Sequence, residues 1–304
     1  MAAPAEPSTH WSKKPLTLRI ISAAVLIPIV VAAVYAGHPA WDLLVILFAG
    51  VMAWEWSNIA SRSVSVTEPQ RRRAIVASIV LVVGIMVATT FPDVWPQPLK
   101  DNGHIVFAVA VALFLASIGP YRSATLRKGR VLPSFRFASW WFILGFLYVA
   151  IPCWAIIDLR SDPTVGLQQI LWIVALVIAA DTGAYIAGRS IGGPKLAPRV
   201  SPNKTWAGLF GAVVSAAIVG AITALLMDLP SVAKLSAISA GLAIIEQMGD
   251  LAESAFKRHF GVKDASNIIP GHGGALDRVD GLIAVAAAVA GINYLIGSSV
   301  LTWL

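Results

Sequence analysis

The strongest constraint on this chain is a succession of apolar segments, each long enough to cross a membrane. Apolar residues make up 57% of the 304 residues and charged residues only 13%, about half the charged share of a soluble domain. About 20 apolar residues span the roughly 30 Å hydrocarbon core of a bilayer. Backbone groups in lipid must pair with one another within the segment. The sequence therefore predicts an all-α polytopic integral membrane protein.

The predicted transmembrane helices number about nine. A basic tail, residues 1–16, precedes them, and we interpret the first apolar segment as a retained helix rather than a cleaved signal peptide. Residues 17–168 then hold helices one to five, and residues 169–304 hold helices six to nine. The predicted spans are 17–36, 41–58, 74–91, 104–120, 137–158, 169–188, 205–228, 234–252 and 281–303.

Lys and Arg residues predict the orientation of these helices. Of the 23 basic residues, 20 lie in the N-terminal flank and in the alternate loops 59–73, 121–136, 189–204 and 253–280. The positive-inside rule places these segments in the cytoplasm, with the N-terminus inside and the C-terminus outside. We expect a multi-pass protein of the cell's inner (plasma) membrane. Topology and attraction to anionic headgroups explain the net charge of +7, so we expect no nucleic-acid partner.

Acidic residues near the membrane are not needed for orientation, and the first of them is Asp181 in "AADTGAYIAGRS". It lies in an apolar run near the cytoplasmic end of the sixth predicted helix. Tyr185 and Gly188 follow it at helical spacing. A carboxylate at membrane depth costs a few kcal/mol, which favours a functional role. The alternative is a structural partner for a Lys or Tyr on a neighbouring helix.

A second polar stretch, "GGPKLAPRVSPNKTWAG", combines cations with a helix-start pattern. Ser201 is predicted to be the N-cap of the seventh helix, with Pro202 at the first helical position. Lys204 would then lie in the first turn, where free N–H groups favour an anion. Lys195 and Arg199 add positive charge nearby.

The third and densest polar stretch is "EQMGDLAESAFKRHFGVKDASNIIPGHGGALDRVD", residues 246–280. Asp250 and Lys257 share a helix face with Glu253 or Ser254, and the helix is predicted to end at Gly261. Asp277 and Asp280 lie just before the last predicted span, so Asp250 and Asp277 are expected to approach from two helix ends.

Three carboxylates beside several cations suggest a metal ion together with a polyanionic ligand. Oxygen ligands without cysteine suit Mg²⁺. The glycines of "PGHGG" permit close approach of the backbone to a ligand. His272 could be a metal ligand, an acid or a phosphate donor, and the sequence leaves these roles open. The alternative for the whole stretch is a solvated loop of mixed charge.

Two isolated residues are interpreted as structural. Glu55 in "AWEW" lies near the cytoplasmic end of the second helix, where we expect a structural hydrogen-bonding role. The single Cys153 lies in an apolar segment and excludes a disulfide framework within the chain.

The residues of the third stretch resemble a known family signature. "SAFKRHFGVKDASNIIPGHGGALDRVD", residues 254–280, is similar to that of phosphatidate cytidylyltransferases, also called CDP-diacylglycerol synthases. The family pattern is Ser-x-apolar-Lys-Arg, four residues, Lys-Asp, then Pro-x-His-Gly-Gly and Asp-Arg-x-Asp. One departure is Ala275, where a larger apolar residue is usual. "ADTGAYIAGR", "KLAPRVSPNKTWAG" and "GDLAES" are also similar, and the strong resemblance covers about 170–281.

The resemblance implies the reaction of CTP with phosphatidate to give CDP-diacylglycerol and pyrophosphate, with Mg²⁺, at the cytoplasmic face, often in a homodimer. The site would lie within residues 169–304. The implied metal ligands are Asp250 and Asp277, with Asp280 as a third candidate. The expected catalytic residues are Asp250, Asp277, Lys257, Arg258 and Asp264. The expected substrate-binding residues are Ser201, Lys204, Thr205, Lys263, His272, Arg278 and Asp181.

Two other functions stay open at this point. A transporter or ion channel could use an intramembrane Asp, although such sites favour the bilayer midplane. Another CTP-dependent lipid phosphotransferase, such as a polyprenol kinase, would share the need for cations and metal but should lack the full signature.

Overall fold

The structure, a computed structural model, describes residues 16–63, 68–91, 93 and 135–303 and consists mainly of long helices. The predicted span 104–120 and the tail 1–15 lie outside these residues. The helices are α1 (Leu16–Ala36), α2 (Ala40–Ala60), α3 (Glu68–Thr90), α4 (Phe135–Ser161), α5 (Gly166–Ser190), α6 (Trp206–Leu226), α7 (Val232–His259), α8 (Leu276–Ile296) and the short α9 (Val300–Trp303). Two short strands, β1 (Lys195–Ala197) and β2 (Ser201–Thr205), form an antiparallel hairpin between α5 and α6.

Among the described residues, six helices are long and apolar enough to cross a bilayer: α2, α3, α4, α5, α6 and α8. α1 adds a shorter apolar segment over residues 20–36. These helices confirm an all-α membrane protein, whereas the count of nine spans, their orientation and the division into segments stay predictions.

The predicted span 281–303 is wrong as one helix, because α8 ends at Ile296 and Gly297 follows with a φ of +71°. That left-handed conformation ends the helix.

The predicted helix start at Ser201 is also wrong. Residues 201–205 are extended because β2 pairs with β1, Lys195 opposite Thr205 and Ala197 opposite Ser201. α6 starts only at Trp206. Thr205 is its N-cap, since the Thr205 hydroxyl accepts a hydrogen bond of 3.1 Å from the amide of Gly208. Lys204 therefore lies on a strand rather than in a first helical turn.

α5 and α6 approach closely through glycine. A Cβ atom at Gly183 would overlap the Ser215 side chain and the carbonyl of Gly211, and a Cβ at Gly211 would overlap the carbonyl of Gly183. α6 meets α7 in the same way, because a Cβ at Gly220 would overlap the Ser239 side chain. Small residues allow such backbone approach between helices in lipid. These contacts fix α5, α6 and α7 as one bundle.

Aromatic side chains join α2, α4 and α7 near their polar ends. The Trp56 ring stacks on Phe256 at 3.7 Å between centroids. Its indole N–H donates to the carbonyl oxygen of Trp141 at 2.7 Å. Gly145 faces the same indole, with no room for a side chain. This packing holds the end of α7 against α2, where the predicted polar residues are concentrated.

Enlarging Gly211 should force α5 and α6 apart. We expect Gly211→Leu to lower the free energy of unfolding by roughly 1–3 kcal/mol, the usual cost of overpacking. Gly241 on α7 is a matched control, because no described residue of another element lies within 4 Å of a Cβ built there. Thermal unfolding in detergent, followed by circular dichroism, measures both variants. Equal midpoints for Gly211→Leu and Gly241→Leu would contradict the packing.

Candidate active site

Asp277 organises the loop that joins α7 to α8. Its Oδ1 atom accepts a 2.6 Å hydrogen bond from the Lys257 ammonium. Its Oδ2 atom accepts hydrogen bonds from the amides of Ala265 at 2.9 Å and Gly274 at 2.8 Å. One carboxylate thus joins the last turn of α7, the middle of the loop and the first turn of α8.

Lys257 is held by two carboxylates. Its Nζ atom lies 2.6 Å from both Glu253 Oε2 and Asp277 Oδ1, and the residue is buried. Burial alone would lower the pKa of Lys257, but Glu253 and Asp277 raise it above its ordinary value. The ammonium therefore stays charged and is compensated inside the protein. The structure gives Lys257 and Asp277 an organising role, and their roles toward substrate and metal stay predictions.

Glu55 supports the same loop from α2. Its buried carboxylate accepts from the amides of Ala275 at 2.9 Å and Leu276 at 2.8 Å, and from the Ser266 hydroxyl at 2.5 Å. These amides begin α8 and have no partner within the helix. The predicted structural hydrogen-bonding role of Glu55 is confirmed. A Cβ at Gly274 would lie 2.5 Å from Glu55 Oε1, which explains why glycine is needed there.

A second polar network starts at the β-hairpin. Lys204 Nζ lies 2.5 Å from Asp250 Oδ2 and donates to Gln247 Oε1 at 2.8 Å. The Gln247 amide donates to Glu246 Oε2 at 2.7 Å. Asp181 of α5 lies near Glu246, and the two carboxyl groups interact. The hairpin, α5 and α7 thus meet through five side chains.

Asp280 completes a group of four carboxyls that we call the acidic cluster: Asp181, Glu246, Asp250 and Asp280. The charge of Asp280 interacts with those of Asp250 and Asp181. α7 packs on α8 beside Asp250 and Asp280, because a Cβ at Gly249 would lie 3.0 Å from the carbonyl oxygen of Asp280. The carboxylate of Asp277 is instead bound to Lys257. Lys204 is the cation in direct contact with the cluster. The cluster therefore combines four carboxyl groups with the ammonium of Lys204.

The acidic cluster offers oxygen ligands to a divalent cation but does not enclose one by itself. Carboxylate oxygens suit Mg²⁺, which is commonly bound by one or two carboxylates together with substrate phosphates. Within the described ranges, no three His, Cys, Asp or Glu side chains converge closely enough to hold a metal ion by themselves. The residues present thus suit an ion that is shared with a phosphate ligand.

The remaining predicted residues lie around the loop. Arg278 donates from Nε and Nη2 to the carbonyl oxygen of His272, at 2.9 and 2.6 Å. His272 Nδ1 lies 2.7 Å from the Ser22 hydroxyl of α1. Arg258 donates to the carbonyl of Val262 at 3.1 Å. Four predicted side chains are exposed at the polar edge: Arg258, Lys263, Asp264 and Arg278. Ser201 begins β2 and is partly exposed.

Sequence reasoning did not single out Glu246, Gln247 or Tyr148. Glu246 is spaced four residues before Asp250, so the helix-face pattern could have identified it. Tyr148 on α4 carried no signal in the sequence. In the part of the chain that the structure describes, its buried hydroxyl has no hydrogen-bond partner, and it lies close enough to Asp280 and Asp250 to sense their charges.

The fold and the site define an all-α membrane protein with a carboxylate-rich site beside a cationic loop. The chain matches the cytidylyltransferase family over residues 17–296 and belongs to it. It is 33% identical to a phosphatidate cytidylyltransferase of Brucella suis biovar 1 over 284 residues, 93% of each chain. It is 32% identical to one of Haemophilus influenzae over 88% of this chain and 95% of that protein. The predicted family is thereby confirmed, and the chain is a nucleotidyltransferase.

A relative from Staphylococcus epidermidis matches part of the chain at higher identity. That phosphatidate cytidylyltransferase is 42% identical over 192 residues, which is 63% of this chain and 68% of the relative. This match is shorter than the other two, and its sequence identity is higher.

Removing the Glu55 carboxylate should destabilise the fold. Glu55→Ala leaves two buried amides without an acceptor, so we expect a loss of about 1–3 kcal/mol in the free energy of unfolding. Glu55→Gln should lose less, because its amide oxygen still accepts. Glu68 is the control, since its exposed pair with Arg71 contributes little. Thermal unfolding in detergent tests this, and equal effects of Glu55→Ala and Glu68→Ala would refute it.

Proposed function

We infer that this protein is a phosphatidate cytidylyltransferase, which converts CTP and phosphatidate to CDP-diacylglycerol and pyrophosphate for phospholipid synthesis. The observation that carries this inference is the match to the cytidylyltransferase family over residues 17–296, which includes every residue of the site. The relatives that share this match are named phosphatidate cytidylyltransferase. The acidic cluster supplies carboxylates, and the loop between α7 and α8 supplies the cations Arg258, Lys263 and Arg278. A reaction between two phosphate compounds uses both kinds of group.

The reaction joins two polyanions. A phosphate oxygen of phosphatidate attacks the α-phosphorus of CTP and forms a new P–O bond. The bond from the α-phosphorus to the oxygen that bridges it to the β-phosphorus breaks, and pyrophosphate leaves with that electron pair. Phosphoryl chemistry of this kind depends mainly on positioning and charge neutralisation. The attacking oxygen is already ionised, so no strong general base is required.

The exposed cations are in position to neutralise the phosphates. Arg258, Lys263 and Arg278 lie at the open edge of the loop, while Lys195 and Arg199 lie on the β-hairpin opposite. In this proposal these side chains bind the triphosphate and the phosphate of phosphatidate, together with His272. Lys257 and Asp277 keep the loop in its shape, because their charges satisfy one another.

Lys204 connects the hairpin to the acidic cluster. Its ion pair with Asp250 places an ammonium at the edge of four carboxyls. Such a cation lessens repulsion between the cluster and an incoming phosphate. Ser201 and Thr205 flank it on β2, and Thr205 keeps the start of α6 capped.

Mg²⁺ is part of this proposal, and Asp250 and Asp280 are the residues we expect to hold it. When bound, the ion would neutralise charge on the phosphate oxygens. Asp181 and Glu246 lie beside them in the same cluster. Asp277, a predicted ligand, is a weaker candidate because its buried carboxylate already accepts from Lys257 and from two backbone amides. The side chain of Asp250 is 27% exposed.

The proposal also includes the location and assembly of the enzyme. Phosphatidate is held in the leaflet by its acyl chains, and CTP is soluble, so the site must lie at a membrane surface. The distribution of Lys and Arg supports the cytoplasmic face of the inner membrane. A homodimer is proposed from the family resemblance.

Purified protein should transfer label from α-³²P-CTP to phosphatidate in detergent with Mg²⁺. Mass spectrometry should identify CDP-diacylglycerol, and a coupled assay should detect one pyrophosphate for each lipid product. EDTA should abolish turnover, and excess Mg²⁺ should restore it. A phosphorylated alcohol as the product would indicate a lipid kinase instead, and the absence of any product with every phosphatidate tested would refute the proposal.

Neutralising Asp280 should remove a carboxylate from the proposed metal site. We expect Asp280→Asn to lower kcat at least about 100-fold, the scale of losing one electrostatic contact in a transition state. Asp228→Asn is the matched control, because Asp228 follows α6 outside the site and its φ of 49° suits Asn. Near-normal turnover by Asp280→Asn would refute its proposed role.

A further inference from the structure

Tyr148 on α4 carries a polar group that the reaction described above does not use. Its side-chain hydroxyl is buried and, among the residues that the structure describes, has no hydrogen-bond partner. Buried polar groups in folded proteins are nearly always hydrogen-bonded, so an exception requires an explanation. The hydroxyl of Tyr148 therefore remains available to donate a hydrogen bond.

Aromatic packing fixes the position of this hydroxyl. The centroid of the Tyr148 ring lies 5.0 Å from that of Trp56 on α2. Trp56 is itself held by its hydrogen bond to the carbonyl oxygen of Trp141 and by its stack on Phe256 of α7. Because residues from three helices restrict the ring, the hydroxyl loses little conformational freedom when it forms a hydrogen bond.

The ring of Tyr148 lies at the same depth in the bundle as the carboxyl groups of α7. Tyr148 is two turns along α4 from Trp141, whose ring contacts Phe260 at the end of α7. Glu253 is likewise two turns before Phe260. α4 also packs along α8, the helix that carries Asp280. In agreement with this placement, the phenol interacts with the charges of Asp280, Glu253 and Asp250.

Two of these three carboxyl groups already have strong partners. Asp250 pairs with Lys204 and also accepts a hydrogen bond of 3.3 Å from the Ser254 hydroxyl. Glu253 pairs with Lys257 at 2.6 Å. Each of them thus has a cation in direct contact, and neither depends on a phenol to hold it in place.

Asp280 has much weaker support. Its Oδ1 atom accepts a hydrogen bond of 2.9 Å from the amide of the next residue, Gly281. Within the described ranges, Oδ2 has no donor. A carboxylate that binds a metal ion is usually held by further hydrogen bonds, which orient its oxygens. Asp280 therefore lacks a donor, and the neighbouring Tyr148 lacks an acceptor.

We propose that Tyr148 is a positioning residue for the reaction. Its hydroxyl donates to the Asp280 carboxylate when the substrates and the metal ion are bound, and this hydrogen bond fixes the direction of the carboxylate oxygens. Asp280 is only partly buried, so its carboxylate is able to join the buried phenol to a ligand in the open site. The inference rests on the proposed function, in which Asp280 holds Mg²⁺.

Tyr148→Phe removes the hydroxyl and keeps the ring. We expect the Mg²⁺ concentration for half-maximal turnover to rise at least about tenfold, the usual scale of losing a hydrogen bond to a metal-binding side chain. Tyr294→Phe is the matched control, because Tyr294 on α8 is 88% exposed, and it should behave as the wild type. An unchanged Mg²⁺ dependence in Tyr148→Phe would overturn the proposal.

A double-mutant cycle shows whether Tyr148 acts through Asp280. In an Asp280→Ala background the acceptor is gone, so Tyr148→Phe should cause no further loss of turnover. A purely structural role for the phenol would instead give losses that multiply. Multiplying losses would contradict the proposed hydrogen bond.

Thermal unfolding in detergent gives a measurement that does not depend on turnover. In EDTA, Tyr148→Phe should not lower the midpoint, because the hydroxyl has no partner in the free protein. Addition of Mg²⁺ and CTP without phosphatidate should raise the midpoint of the wild type by mass action, and should raise that of Tyr148→Phe less. A lower midpoint in EDTA, or an equal rise in both proteins, would overturn the positioning role.

The proposed function and the role of Tyr148 fail in different ways. If the wild type forms no CDP-lipid from any phosphatidate, the proposed function is refuted. If the wild type turns over and Tyr148→Phe has the same Mg²⁺ dependence and the same midpoints, only the positioning role is refuted.

Discussion

The ion pair between Lys257 and Asp277 is the interaction on which the site depends. It joins the end of α7 to the start of α8 across a loop rich in glycine, and the same carboxylate binds the amides of Ala265 and Gly274. A buried charge without a partner is costly, and Glu253 adds a second carboxylate to Lys257. Since the pair is satisfied internally, the loop keeps its shape while its other cations remain at the surface.

α7 combines the two polar networks on one helix. Glu246 and Asp250 face the hairpin and α5, whereas Glu253 and Lys257 face the loop and α8. The helix is too polar to count among the six apolar spans of the described residues. α6 and α8 pack along its sides, and Glu246 and Glu253 are buried.

Sequence reasoning succeeded where the physical signal is local. The helix end near Gly261 and the hydrogen-bonding role of Glu55 were predicted from the local residue pattern, and the structure agrees. The family was predicted from the resemblance of residues 254–280, and the family match agrees. It failed at Ser201, because the pairing of β1 with β2 overrides a good N-cap pattern. Glu246 and Tyr148 were missed because their roles depend on neighbours from other helices. Asp250 pairs with Lys204 and Asp277 pairs with Lys257, a choice of partners that the sequence positions alone leave open.

The sequence by itself determined that the chain is helical and embedded in a membrane, since lipid permits few other backbone structures. It also determined the family, through the residues between 170 and 281. Only the tertiary structure decided which charges neutralise one another and which remain for a ligand. The physical reason is that Coulomb energy depends on distance and burial, and both are set by the packing of α2, α5, α7 and α8 rather than by spacing along the chain.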